Sequence, residues 1–349
     1  MTAAATANLT GRVHPSRRLE PVGRTDEPPQ VSVVIASYCH AAYVCEALES
    51  VLAQSFEDFE IVITDDGSPD TTVDAIRSVH DARIHLEALP VNRGACVAMN
   101  HSLSRARGSY IAILNSDDIF LPGRLQAQVE FLDAHPHVGA VFGYPEIIDE
   151  RGAHFADVNH KDYSVFRVSN RDRYAWLRYF FDHGNCLCHP TLMIRRDCYD
   201  LVGTYDARLA QVPDLDLWIR LVARFEIYVM PESMVRFRIR DAQMNASAAR
   251  PEVIRRDAWE RSRVLEHYCR MPLSTLHRAF PEMVDSGMSA TSWLATHALA
   301  LGTPFHAAFA LDAMFRDLPA DGEGPGHSAF IDLTGRVDPF GLRLTEKPR

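Results

Sequence analysis

Three acidic groups have the residue types and spacing to do chemistry: Asp65-Asp66, Asp117-Asp118 and Asp214-Leu215-Asp216. Paired carboxylates repel one another and are costly to hold beside a low-dielectric core. A hard divalent cation relieves that repulsion, and Mg²⁺ or Mn²⁺ can bridge phosphate oxygens as well. Asp117-Asp118 directly follows the apolar run Tyr110–Leu114 and is the sharpest of the three. Two aspartates capping a helix that opens at Pro122 would look the same. Asp65-Asp66-Gly67-Ser68 consists of turn formers, and an aspartate there could also accept hydrogen bonds from a base or ribose. Asp214 and Asp216 precede the apolar Trp218, Ile219 and Leu221. They either cap that helix and favour its dipole or place a general base at the mouth of a site.

The elements that must position these residues alternate in type. Val31–Ala36, Glu60–Thr64, Ile84–Leu86 and Tyr110–Leu114 read as strands, the β-branched runs as buried parallel ones. Between them lie helical patterns: Val44, Leu48, Val51 and Leu52 on one face, then Val73, Ile76 and Val79 behind a Ser68 N-cap with Pro69 in the first turn. A third helix spans about Ala95–Ala106, with Cys96, Met99 and Leu103 inward and Gly108 as terminator. A fourth opens at Pro122 and carries Leu125, Val129 and Leu132. The alternation predicts an α/β fold, a mostly parallel sheet flanked by helices, whose ligands sit beyond the carboxyl ends of the strands. Asp65-Asp66 and Asp117-Asp118 both lie at such ends.

The second half is more mixed. Strands are expected at Val138–Gly143, Thr191–Arg195 and Phe225–Val229, and helices at Tyr174–Phe181 and Leu215–Val222. From about Arg250 to Leu318 the texture is helical, anchored by Ile254, Leu265, Leu276, Phe280, Trp293 and Phe309. Residues 1–30 read as a disordered tail, and residues 319–349 as a loop or loosely held tail.

Taken in order, the segments Val31–Tyr38, Asp65–Ser68, Asn92–Gly94, Gly108–Ile111, Asn115–Asp118 and Asp214–Trp218 resemble the pattern of glycosyltransferase family 2 over about residues 31–245. The resemblance implies a Rossmann-like GT-A fold with a nucleotide-sugar-binding half at 31–125 and an acceptor half at 126–245, to which the helical texture adds an extension at 246–318. It implies an inverting enzyme that moves a single sugar from a nucleotide diphosphate sugar, with UDP favoured, to a hydroxyl of a glycan, lipid-linked glycan or other acceptor. Ala36, Ser37 and Tyr38 would line the base pocket, Asp66 would hydrogen-bond the base, and Asn92 would belong to the same nucleotide site. Asp117 would hold the ribose or donor sugar, Asp118 would be the main ligand of Mn²⁺ or Mg²⁺, and Asp214 would be the general base.

The sequence also departs from the family pattern. Cys39 stands where Asn is common. Pro213 replaces the Glu usual before the catalytic Asp, which keeps Asp216 beside Asp214 as a candidate; Asp214 is favoured because Asp216 runs straight into Leu217-Trp218. Arg240 occupies a position where histidine is frequent, and Arg238 and Arg240 either grip phosphate or form one basic strand face. His189 matches the acceptor-side segment, or else simply sits in a polar turn.

Composition narrows the partners. The net charge is −10 and no Lys/Arg block follows the first 25 residues, which argues against nucleic acid. No run approaches the ~20 apolar residues of a membrane-spanning helix. With no secretory signal and an odd count of 7 cysteines, reduced thiols and a cytoplasmic enzyme are expected, with peripheral contact at the inner face of the membrane left open. Cys186, Cys188, His189 and Cys198 could be imagined as a zinc cluster, but neighbours on a strand point apart. The missing membrane helices and Q-x-x-R-W element set aside a processive synthase. A scaffold built on a degenerate transferase domain stays as the alternative, and the C-terminal helices are where a homodimer would form. Family analogy points to polysaccharide biosynthesis.

Overall fold

The computed structural model describes residues 27–157, 162–240 and 250–318, with a few positions between 327 and 335. The expected tails at both ends therefore fall largely outside the described residues. Four parallel strands open the chain: β1 (Val31–Ser37), β2 (Phe59–Asp65), β3 (Ile84–Ala88) and β4 (Tyr110–Asn115). They are followed by β5 (Ile119–Phe120), β6 (Val138–Ile148), β7 (Met193–Arg195) and β8 (Glu226–Arg238). All eight form one sheet in the order β3-β2-β1-β4-β7-β6-β8-β5. β7 runs antiparallel to both β4 and β6, β6 and β8 are parallel, and β5 pairs antiparallel with β8.

Both faces of the sheet are covered, and for that reason the early strands read as unbroken apolar runs. Val31, Val33 and Ile35 enter one core with Ile61, Ile63, Ala112 and Leu114, while Val34, Val62, Ile111 and Ile113 enter the other. The helices α1 (Val44–Leu52), α2 (Thr72–Ser78), α3 (Ala95–Arg105) and α4 (Arg124–Ala134) fill the crossovers. α5 (Asp162–Val165), α6 (Arg173–His183), α7 (Arg196–Val202) and α8 (Pro213–Val222) belong to the second half. They are followed by α9 (Pro251–Val264), α10 (Leu273–Ala279), α11 (Ala290–Leu301) and α12 (Pro304–Asp317).

These last four helices share a continuous core with the sheet. Leu265, Tyr268, Leu276, Phe280, Leu294 and Phe309 lie in the same cluster as Trp176, Phe181 and Trp218. Ile254 is not an anchor, since it is 56% exposed on the outer face of α9.

Other local expectations also shift. Ser68 does not cap α2, whose N-cap is Thr71; its amide and hydroxyl instead both donate to Asp65. The helix expected at Pro122 begins at Arg124, after a left-handed Gly123 and the short strand β5. All seven cysteines are free. Cys186 and Cys198 face one core and Cys188 the other, so among the described residues they form no zinc site. No described helix is long and apolar enough to cross a membrane.

Candidate active site

The carboxyl ends of β1, β2 and β4 lie in register, with Ser37 beside Asp65 and Ala36 beside Asn115. The loops that leave them converge at this edge. Ser37 is buried, Tyr38 is 42% exposed, and Cys39 adopts a left-handed φ of 54°. Asp66 is buried, and its carboxylate accepts the backbone amides of Arg93 and Gly94, each at 2.8 Å. It thereby ties the β2 loop to the residues that lead into α3. Gly67 is required there, because its φ is 69° and a side chain would collide with the backbone of Val91. Asn92, on the same segment, is exposed.

The two aspartates after β4 separate in role. Asp118 is buried, with one oxygen accepting the amide of Arg238 and the other the side-chain amide of Asn115, both at 2.8 Å. Burial, reinforced by the neighbouring Asp117 charge, pushes its pKa well above the usual carboxylate range. Asp117 keeps a partly exposed carboxylate, 3.8 Å from His40 Nε2. Each Asp118 oxygen thus accepts one hydrogen bond and keeps a further lone pair, and Asp117 is the slightly more exposed of the two carboxylates.

His40 was not singled out by motif, yet it organises this edge. Arg240 Nη1 lies 2.8 Å from His40 Nε2, and His40 Nδ1 lies 2.7 Å from Ser116 Oγ. A guanidinium can only donate, so Nε2 accepts and the ring proton sits on Nδ1, facing Ser116. Ser116 in turn donates to the Ala36 carbonyl at 3.2 Å. Burial lowers the His40 pKa against the pull of Asp117, and Arg240 lowers it further, in keeping with a neutral ring. Arg238 is engaged within the protein. It is buried and donates to the carbonyls of Asp117, Asp149 and Glu150 and to the Glu46 carboxylate, so it braces the loop. Tyr43, also unflagged in the sequence, lies beneath the guanidinium groups of Arg238 and Arg240.

Asp214 stands in the first turn of α8, which Pro213 opens with a fixed φ. Its Oδ1 accepts the Leu215 amide at 2.7 Å and its Oδ2 the Asn185 side-chain amide at 2.6 Å. Asn185 Oδ1 accepts the Leu187 amide, which turns its NH₂ group toward Asp214. Asn185 lies in the segment leading to β7, whose start, because it runs antiparallel to β4, faces the carboxyl end of the strand that precedes Asp117. Burial raises the Asp214 pKa to about 6. His189 bonds Tyr205 Oη at 2.7 Å, and burial lowers its pKa to about 4, so it is neutral.

Asp216 does not belong to the acceptor side. Two residues on, it faces the other way, where it is buried and gripped by Arg220 and by His267 at 2.6 Å. Burial pulls its pKa up, but the His267 and Arg220 interactions outweigh this and hold it low.

Comparison with known proteins agrees with this arrangement. The glycosyl transferase family 2 profile matches residues 32–201. TuaG of Bacillus subtilis (strain 168), named as a teichuronic acid biosynthesis glycosyltransferase, is 32% identical over 219 residues, 62% of this chain and 81% of its own length. The chain belongs to glycosyltransferase family 2 and is a transferase. Solved structures share its fold. S. aureus TarS 1–349 in complex with UDP aligns with a TM-score of 0.56 at 17% identity, covering 82% of each chain. The mannosyltransferase PcManGT from Pyrobaculum calidifontis, with GDP-Man and Mn²⁺, aligns at 0.51 and 20% identity, covering 85% of this chain and 88% of its own.

Proposed function

We propose that the protein is an inverting, divalent-metal-dependent transferase that moves one sugar from a nucleotide diphosphate sugar, with UDP favoured, to an acceptor hydroxyl of a glycan or lipid-linked glycan. The observation that carries this reading is Asp214, a carboxyl raised to about 6 and held by Asn185 from the segment leading to β7. A base whose pKa lies just below neutral is ionised at working pH and still basic enough to take a proton. Family membership and the UDP and Mn²⁺ carried by TarS and PcManGT support the choice of donor and metal.

The donor set suits a hard cation that completes its shell from the substrate. Among the described residues no three His, Cys, Asp or Glu side chains converge on a self-sufficient cage. Mg²⁺ and Mn²⁺ commonly take one or two carboxylates plus phosphate oxygens, and Asp118 with the adjacent Asp117 offers them. When bound, the metal would act as a Lewis acid toward the departing diphosphate. The chain's own residues do the rest. Ala36, Ser37 and the exposed Tyr38 ring form the wall against which a base packs. Asp66 shapes the same wall through Arg93 and Gly94. Arg240 places a positive charge beside Asp117 through His40. Asp214 accepts the acceptor hydroxyl proton as that oxygen attacks the anomeric carbon from the face opposite the leaving group.

The test is thermal unfolding of the protein with UDP, GDP or dTDP, each with Mn²⁺ or EDTA. A ligand at a hundredfold excess over its Kd adds about 2.7 kcal/mol. Metal-dependent stabilisation by one nucleotide, absent in Asp117→Asn, is expected. Equal stabilisation in EDTA would remove the metal from the proposal, and no stabilisation by any nucleotide would remove the donor site.

A further inference from the structure

Helix α9 of the C-terminal extension is tied to the segment that carries Asp214 by an arrangement that packing alone does not demand. Glu260 on α9 is 1% exposed, in a chain region where a buried carboxylate needs compensation. It receives that compensation from three successive backbone amides. Its Oε1 accepts Ala210 N at 2.8 Å, and its Oε2 accepts Gln211 N at 2.7 Å and Val212 N at 3.1 Å. Those amides immediately precede α8, so the carboxylate fixes the chain where it enters the turn holding Asp214. The next residue, Arg261, is positioned from both sides. Asp257, one turn earlier, accepts its Nε at 2.7 Å. Its guanidinium also lies so close over Gly184 that any side chain there would overlap it. Gly184 adjoins Asn185, whose amide holds Asp214.

We propose that Glu260 and Arg261 are positioning residues for the base: Glu260 sets the backbone that presents Asp214, and Arg261 sets the charge beside it. The proposal rests on the reading of Asp214 as general base. The groups that face Asp214 electrostatically are Arg261 and Asp257 from α9, Cys96 from α3, and Tyr205 from the loop before α8. Among the groups acting on Asp214 itself, Arg261 favours its ionised form and Asp257 opposes that form. Burial alone would push the carboxyl further from ionisation, and Arg261 partly restores it. The extension thus reaches across the sequence to complete the site; it does not merely cover the domain.

Two measurements on the full chain test this without needing the natural substrate. In Glu260→Gln, amide hydrogen exchange of the peptide covering residues 209–216 should accelerate by about tenfold or more, because hydrogen bonds to a charged acceptor are among the stronger ones. Exchange elsewhere should stay at its wild-type rate. In protein labelled with carboxyl-¹³C aspartate, the Asp214 resonance, identified by its loss in Asp214→Asn, should titrate near pH 6. Its midpoint should move upward in Arg261→Met and stay near wild type in Arg261→Lys.

Unchanged exchange in Glu260→Gln, or acceleration spread evenly over the chain, overturns the role of Glu260. A midpoint that does not move in Arg261→Met overturns that of Arg261. Neither readout involves turnover, so this proposal and the assignment of the base can fail independently. Full activity in Asp214→Asn would sink the base assignment while leaving both shifts in place.

Discussion

The nucleotide end and the base end of this site are built in different ways. At the nucleotide end, the side chains come from loops that directly follow β1, β2 and β4, so short sequence segments carry most of the geometry. At the base end, Asp214 depends on Asn185 from the segment before β7 and on a helix that begins at Pro251. Local segments can be read as motifs. The helix entry held by Glu260 and the second clasp from Asp216 to His267 instead depend on partners 48 and 51 residues away in the chain.

The largest expected effects separate the two ends. Asp214→Asn should lower turnover by about 10²–10⁴-fold, the usual worth of a general base. Nucleotide-and-metal stabilisation of folding should be retained. Asp117→Asn should do the reverse in a binding assay, losing metal-dependent stabilisation of about 2.7 kcal/mol at a hundredfold ligand excess. If both variants lost nucleotide binding, the ends would be one unit and the comparison would collapse.

Arg124 is the seam between them. It is fully buried, and its guanidinium donates to the carbonyls of Pro190 and Leu192 on the β7 side and to that of Ile113 in β4. Burial lowers its pKa to about 9, so it remains charged at neutral pH. Arg124→Met would remove the side-chain donor from the Pro190 and Ile113 carbonyls, while that of Leu192 would keep the Ile113 amide. Leaving a buried carbonyl without a donor costs about 1–3 kcal/mol, and chemical denaturation should show a loss of that order. A loss below about 1 kcal/mol, smaller than one unsatisfied buried group costs, would mean that the two halves are held by their apolar cores alone.

A pH prediction follows from Asp214. Its folded pKa of about 6 lies above the ordinary aspartate value of 3.8. The protonated form is therefore favoured by folding, and its contribution is complete below about pH 4 and is lost as pH rises through 6. A difference of about two units corresponds to at most about 3 kcal/mol of stability given up at pH 7. Asp214→Asn should therefore be more stable than wild type at pH 7, with the advantage fading toward pH 4. Turnover of the wild type should fall as pH drops through about 6, where the base becomes protonated. An Asp214→Asn advantage over wild type no larger at pH 7 than at pH 4 would show that the base is not strained by its burial.

How much of this was legible turns on whether a partner is local, at either end. The order of strands and helices and the placing of both acidic loops at strand ends could be read from apolar periodicity. Which of the adjacent Asp117 and Asp118 turns inward could not be, because the Asp118 partner is the amide of Arg238, brought in by β8 pairing. His40 likewise gains its role only when Ser116 and Arg240 arrive from β4 and β8. Asp216 looked equivalent to Asp214 until the helix turned it toward His267. In each case a carboxylate or imidazole was visible in the sequence, but its partner lay 50 to 200 residues away.

The smallest prediction probes the nucleotide end in its own local terms. Cys39 adopts a left-handed φ of 54° at the turn after β1, and its amide donates to Ser68 Oγ at 2.9 Å. A residue with a Cβ gives up roughly 1–2 kcal/mol in that conformation, although Asn tolerates it better through local hydrogen bonding. The family pattern places Asn at this position, which fits the backbone rather than the chemistry of a thiol. Cys39→Asn should therefore stabilise the protein by a few tenths of a kcal/mol to about 1 kcal/mol, and thermal unfolding would resolve it. Nucleotide-dependent stabilisation should be unaltered, since Ser68 and Asp65 still hold the loop. If Cys39→Asn instead weakened nucleotide stabilisation, the thiol side chain itself would belong to the pocket, and even this most local part of the site would depend on more than backbone shape.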